Sequence, residues 1–554
     1  MSGALSLALT PAPLVIALAL AWLAGPRRWR WARWAAPAAL AATIVLLAAD
    51  AVPVVAGGRI LASFGQALPG IPYLFRADGI GMTLAFAATS AALLTLLGGR
   101  ALQPRRAPAL VVCVLGSVLA AVAGNAVILF AGVELANIGT FLMFTEPGRR
   151  PGRAALLTLG LEHAGALGLL AATANLQGSV GTSDFSALPA GVVTPAIAVP
   201  WALGATLRLL APAIAPLRTG VATAAWAATA AVPTGALMLL RLREAAGGVE
   251  PAAGTATLAV AGALVAAAGV VIMARRSATP AGAGRGLCLV VAGPVIALAG
   301  MSEAIAATAV AAGVGALEIA AAASAAWERC GDTATERGLA AASLVATAGL
   351  PLGFGATALV LELSAAVGLG AVGLPLLLAL GLSAAAAAAA AVRLAGAILR
   401  RGAGAVARRD LPAPLGVIGL AAAVAGAVVP GAFAGWLNGG LGTPGTLADA
   451  GASAVSGPAG GWPGGYFAVA ALILAAGCLA AFSLSGIRLP QIERLPSQER
   501  TGRSLAIPLS QVRPARRAAR ALQRMVPVVD AWALQQPQLP LIAAGGLIAV
   551  LLIR

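Results

Sequence analysis

An all-α, polytopic membrane bundle is the fold this sequence predicts, on three observations. Hydrophobic residues make up 60% of the 554 positions and charged residues only 10%, with a mean hydropathy of +0.94; soluble domains carry about 25% charged residues. Apolar runs recur at about the 20-residue length that crosses a bilayer. Arginine collects in alternate connections between those runs, as the positive-inside rule requires of correctly placed spans. The alternating pattern of a β-barrel is absent, and the abundance of Gly, 69 residues, suits helices packed through small side chains.

The runs fall at 4–25, 35–57, 79–98, 108–123, 125–144, 154–176, 193–217, 220–242, 254–274, 286–302, 305–327, 339–364, 369–396, 413–436, 465–485 and 537–553. They predict about 16 transmembrane helices, within a range of about 14–16. The first run has no basic residue before it and no clear cleavage site, so it is expected to be a retained helix. Odd-numbered connections hold 29 of the 36 arginines, beginning with "PRRWRWARW" (26–34), "GRALQPRR" (99–106) and "EPGRRPGR" (146–153). This asymmetry places both termini on the non-cytoplasmic side of a bacterial inner membrane.

Four regions follow: N-terminal helices in 1–107, a transmembrane core in 108–436, an external Gly/Pro-rich loop in 437–464, and C-terminal helices in 465–554. Within the last region, 486–536 contains Arg513, Arg516, Arg517, Arg520 and Arg524 at near-helical spacing among Ala, Leu and Val. That pattern reads as a basic amphipathic helix on anionic lipid rather than as a nucleic-acid surface, since the segment is tethered between spans. The longest connection, about fifty residues, is too short for most independently folded catalytic domains.

Charges within or near the runs are Asp50, Glu134, Glu162, Arg208, Glu303, Glu318, Glu362 and Arg393. Asp50, Glu303 and Arg393 lie near helix ends and are expected to snorkel to the interface. Glu134, in the middle of "NAVILFAGVELANIGTFLMF" (125–144), and Glu162, Arg208, Glu318 and Glu362 lie deeper. A charge at the bilayer centre costs at least about 2.5–3.5 kcal/mol on insertion scales, so each deep charge is a functional candidate that needs a partner. Arg208 stands in "VPWALGATLRLLAPAIAPLRTG" (199–220), which Pro212 and Pro216 are expected to break. Charges beside such breaks mark ion paths, which makes Glu134 and Arg208 the expected buried pair. His163, with an unperturbed pKa of about 6.5, suits either an interface hydrogen bond or a proton shuttle. Glu162 adjoins it, but neighbouring helical residues point about 100° apart and seldom bond.

Every basic residue other than His163 is Arg, and Arg cannot release a proton as a buried Lys can. Cys113, Cys288, Cys330 and Cys478 show no CxxC spacing, and a single His completes no zinc, haem or iron–sulfur ligand set. No cofactor or redox centre is therefore expected in this chain. A lipid-directed enzyme is disfavoured as well, because no nucleophile, base and acid share a loop.

The stretch "LFAGVELANIGTFLM" resembles the fifth helix of the antiporter-like membrane subunits of respiratory complex I, energy-converting membrane-bound hydrogenases and Mrp-type cation/proton antiporters. Further stretches match in the same order. "FRADGIGMTLAF" (75–86) resembles the Asp-Gly entry to the third helix, and "GSVGTSDFSALPA" (178–190) the Gly-Thr-x-Asp segment after the sixth. "GATLRLLAPAIAPL" (204–217) and "AGLPLGFGATALVLEL" (348–363) resemble the broken seventh and twelfth helices, with Pro351 in the second break. "TGALMLLRL" (234–242) resembles the end of the eighth helix, and "LEHAGALGLL" (161–170) is closest to the hydrogenase-type sixth.

The resemblance implies a fold with inverted repeats and a subunit that moves protons or sodium, driven by redox chemistry in other membrane and peripheral subunits. It implies that Glu134 takes the place of the helix-five Glu and Arg208 that of the helix-seven Lys. Departures are specific: Pro233 stands at the helix-eight Lys position, "VGALE" ending at Glu318 replaces the helix-eleven His-x-x-x-Lys, and Leu359 sits near the helix-twelve charge, with Glu362 beyond it. Two other readings stay open: a stand-alone Mrp-type antiporter, and a degenerate paralogue that scaffolds without conducting.

Overall fold

The computed structural model describes residues 3–24, 29–55, 59–68, 70–97, 106–145, 152–189, 191–214, 226–246 and 373–400, with isolated positions between 258 and 341. Its helices and strands belong to one compact unit, Met1–Phe144 with Arg153–Ser483; the second unit, Thr145–Gly152 with Leu484–Arg554, contains none of them. Among the described residues, five helical stretches are long and apolar enough to cross a membrane: Ala4–Ala21, Trp34–Val54, Ala126–Phe144, Ala155–Val180 and Pro195–Pro212.

The first predicted span is two helices, α1 (Gly3–Leu9) and α2 (Ala12–Ala24), rather than one. Pro11 has no N–H to give the Leu7 carbonyl, which takes only a 3.4 Å bond from the Thr10 N–H. Helix α3 (Trp29–Val55) returns antiparallel along them and carries Pro37 and Pro53 without breaking. Asp50 does not snorkel as expected: it is 1% exposed and accepts a 2.7 Å hydrogen bond from Thr10.

The all-helical expectation also needs one addition. Strands β1 (Ile60–Leu68) and β2 (Ile71–Ala77) form an antiparallel hairpin, paired from Ile60–Ala77 to Leu68–Ile71 with two irregularities. Gly70, at φ 81°, occupies the left-handed turn conformation that the hairpin needs and that Gly adopts without strain. The hairpin ends at Asp78, whose Oδ1 accepts from the Gly81 N–H at 2.8 Å and so caps α4 (Gly79–Leu97).

Helices α5 (Ala107–Ala121) and α6 (Ala126–Phe144) pack directly against each other. Their backbones touch: a Cβ on Gly116 would lie 2.3 Å from Ala136 N, and one on Gly132 would lie 2.4 Å from Ala120 N. In a membrane this close approach supplies the van der Waals contact that water-driven burial supplies elsewhere. The turn between them is held from both sides, with Arg76 N–H bonded to Val122 O and Phe185 N–H to Gly124 O. Asn125 caps α6 through the Ile128 N–H at 2.9 Å.

Helices α7 (Arg153–Val180) and α8 (Pro195–Ile214) pack with similar intimacy. Helix α8 includes Pro200 and Pro212 and is described to Ile214; Pro216 and Pro351, where breaks are also expected, lie outside the described residues. A π-helical turn, Ala227–Ala231, leads into α9 (Val232–Ala245), and α10 spans Gly373–Arg400. A π turn carries one residue more than an α turn and frequently accompanies functional sites.

Candidate functional site

Four apolar elements bring together the inner polar residues. On α7, Glu162 and His163 point apart as their adjacency requires: Glu162 is fully buried, whereas the His163 side chain is 51% exposed. His163 turns to α6, where its Nδ1 lies 3.0 and 3.2 Å from the two Glu134 carboxylate oxygens. Glu162 turns inward to Arg208 on α8, with 3.8 Å between Oε1 and Nη2. The expected Glu134–Arg208 pair is therefore not the direct contact. Each acid takes a different basic partner, because the pair on α7 divides its two faces.

Arg208 is enclosed by neutral polar partners. Its Nε donates to Thr234 Oγ1 on α9 at 2.8 Å, and its Nη1 donates to Asn137 Oδ1 on α6. Thr234 sends its own proton to Ala230 O in the π turn, which leaves its oxygen free to accept from Arg208. Trp226, at the start of that turn, donates its indole N–H to Glu162 Oε1 at 2.8 Å. Gly165 makes room for the guanidinium stem: a Cβ there would lie 2.8 Å from Arg208 Cγ and from Gly204 O. Glu162 Oε2, Asn137 Nδ2 and Arg208 Nη2 are buried without a hydrogen-bond partner.

A second cluster lies at the hairpin end. Arg241 grips Asp78 with both Nη atoms, at 2.6 and 3.1 Å, and Arg76 Nη2 reaches Asp78 Oδ2 at 2.7 Å. Glu244 Oε2 closes the quartet at 2.6 Å from Arg76 and 2.8 Å from Arg241. Both guanidinium carbons stand over the Phe185 ring, 5.9 and 5.6 Å from its centroid. Burial pulls the Asp78 carboxyl up, but Arg241 and Arg76, with hydrogen bonds from Arg241 and the Gly81 N–H, hold it well below the usual carboxylate range.

Sequence reasoning placed Glu134, Glu162, His163 and Arg208 at membrane depth, and the structure gathers them around one locus. Glu318 and Glu362 lie outside the described residues. Asn137, Trp226 and Thr234 were not singled out. Asn137 had a signal, since it stands one helical turn from Glu134 in an otherwise apolar stretch. The quartet was not singled out either, although Arg76, Asp78, Phe185 and Arg241 all stand in stretches that carry the family resemblance.

Among the described residues no group of three or more His, Cys, Asp or Glu side chains could hold a metal ion. No protein-family model and no curated protein matches the sequence. Solved structures do match. A chain of the Mrp complex from Dietzia sp. DQ12-45-1b is 20% identical with a TM-score of 0.69, over 99% of this chain and 63% of that one. This chain thus spans less than two thirds of that protein's length. A chain of the archaeal membrane-bound sulfane sulfur reductase, a respiratory membrane complex, is 17% identical with a TM-score of 0.64, over 99% of both chains. A chain of respiratory complex I from Thermus thermophilus is 18% identical with a TM-score of 0.55, over 77% of this chain and 97% of that one. The chain is a multi-pass membrane protein that shares the fold of these chains from membrane complexes.

Proposed function

We propose that the chain is an ion-translocating membrane subunit, in which redox chemistry in complex I-like or hydrogenase-like partner subunits drives protons or sodium. The observation that carries this reading is the group of Glu134, Glu162, His163 and Arg208 on three apolar, membrane-length helices. Such groups are costly in hydrocarbon and persist where they move or hold charge. Fold likeness to chains of three membrane complexes supports it.

The chemistry divides among the four. Arg208 never deprotonates in this setting and acts as a fixed counter-charge for Glu162. Glu134 and His163 each exchange a proton, and their contact lets one pass between carboxylate and imidazole. Unpartnered Glu162 Oε2, Asn137 Nδ2 and Arg208 Nη2 offer bonds to internal water, which would extend that exchange inward. The proposal extends to Glu318 and Glu362 in a second half of an inverted repeat, with breaks at Pro216 and Pro351. It keeps the sixteen-helix count, the four regions, inner-membrane location with external termini, and anionic lipid at Arg513, Arg516, Arg517, Arg520 and Arg524. It assigns the chain no cofactor and no nucleic acid.

One observation favours a non-conducting scaffold: Pro233 stands where the resemblance calls for a helix-eight Lys, and Arg208, at the helix-seven Lys position, cannot relay protons. A stand-alone Mrp-type antiporter is the alternative that needs no redox partner. Purification in mild detergent, followed by vesicle reconstitution, separates them. Co-purified redox subunits, with pumping abolished by Glu134→Gln or Glu162→Gln in an intact assembly, are the expected result. Pumping unchanged in both variants overturns conduction through this site, and recovery with small membrane proteins alone moves the reading to the antiporter.

A further inference from the structure

Away from the inner group, the structure holds a buried acid that the proposed ion path does not use. Asp50 on α3 is 1% exposed, and Thr10, in the break between α1 and α2, is fully buried. Each stands in an apolar stripe at helical spacing: Leu7, Thr10 and Leu14 on one side, Leu47, Asp50 and Val54 on the other, with all four apolar members buried. The two stripes meet through the 2.7 Å contact of Thr10 Oγ1 with Asp50 Oδ2.

The contacts at this point are incomplete in an informative way. Asp50 Oδ1 is buried and has no hydrogen-bond partner. Thr10 Oγ1 also lies 3.2 Å from the Ser6 carbonyl, and a hydroxyl has one proton for these two acceptors. Pro11 leaves the Leu7 carbonyl with only the long bond from the Thr10 N–H. The result is a carboxylate, a hydroxyl and two carbonyls at the C-terminal end of an interrupted helix. Among the described residues, no Arg or His forms an ion pair with Asp50.

We infer that Asp50, Thr10 and the carbonyls of the α1/α2 break form a monovalent cation site of the sodium class, separate from the Glu134–Arg208 region. Oxygen ligands, a negative helix end and freed carbonyls are the chemistry by which broken membrane helices hold such ions. Charge selects the class: one buried carboxylate balances one positive charge, and a divalent ion would leave an uncompensated charge in the apolar layer. The inference concerns binding alone and does not depend on the proposed ion path.

The test uses the full-length protein in detergent, with radioactive sodium binding and thermal unfolding measured in NaCl against choline chloride at equal ionic strength. One saturable sodium per chain at this site is expected, with a raised Tm in NaCl. Asp50→Asn and Thr10→Val are each expected to weaken binding about tenfold or more, since each removes a ligand worth about 1.4 kcal/mol or more. Glu162→Gln is expected to leave the Asp50- and Thr10-dependent part of that binding in place, which keeps failure here distinct from failure of the ion path. Should Asp50→Asn not fold, Thr10→Val alone decides, because it keeps the side-chain shape. Equal Tm in both salts, or saturable sodium binding of the same stoichiometry and affinity with and without Thr10→Val, overturns the site.

Discussion

The quartet of Arg76, Asp78, Arg241 and Glu244 and the inner group of Glu134, Glu162, His163 and Arg208 each combine two acids with two basic side chains, but they are bonded differently. In the quartet each acid touches both cations at 2.6–3.1 Å, and one contact is bidentate. In the inner group each acid has one basic partner, the Arg208–Glu162 separation is 3.8 Å, and neutral Asn137, Thr234 and Trp226 take the remaining short bonds. The first arrangement fixes charge in place. The second leaves a carboxylate oxygen, Glu162 Oε2, free to accept, as a group that exchanges protons or water must, whereas the unpartnered atoms of the quartet are all guanidinium nitrogens, Arg76 Nε and Nη1 and Arg241 Nε.

The comparison can be broken most forcefully at Asp78. Asp78→Asn leaves two buried guanidiniums facing Glu244 alone and should cost about 3–5 kcal/mol, read as a lowered Tm in detergent. A small change would mean that the quartet is not a lock. Acid should act in the same direction: because Asp78 titrates lower in the folded protein than unfolded, its contribution is intact at neutral pH. That contribution should be lost as pH falls below about 4, and Asp78→Asn should lack this part of the pH dependence.

Thr234→Val strips Arg208 Nε of its acceptor within the buried site and should cost about 1–3 kcal/mol. If proton exchange runs beside a fixed Arg208, the same variant should shift the pH profile of transport, which lost packing alone would not do. His163→Gln should disturb stability least, by less than about 1 kcal/mol, because half of its side chain lies outside the packed interior. Its effect should fall on transport instead; a large loss of Tm would recast His163 as structural.

The sequence predicted the helices of the described region in order because apolar length and alternating arginine report directly on spanning. It missed the hairpin because 58–78 was read only as what remains between two spans. Membrane-depth charge was legible for the same reason the helices were: Glu134, Glu162 and Arg208 stand out against apolar neighbours. Their pairing was not. Adjacent Glu162 and His163 must face different ways, but which of them faces inward depends on how α7 is rotated against α6 and α8, and Gly165, Gly168 and Gly204 set that only through three-dimensional fit. Asp50 shows the converse failure, since nearness to a helix end suggested snorkelling while Thr10, forty residues earlier, gave it an interior partner.

The segment from the π turn through α9 touches both clusters along one rod. Trp226 and Thr234 engage the inner group, and Arg241, two helical turns beyond Thr234, engages the quartet. A rod anchored this way behaves as a ruler: sliding it by one residue's rise, about 1.5 Å, would misplace the marks at both ends together. Anything that loosens the grip on Arg241 from outside the membrane would therefore be read at Arg208, without any ion having travelled between them.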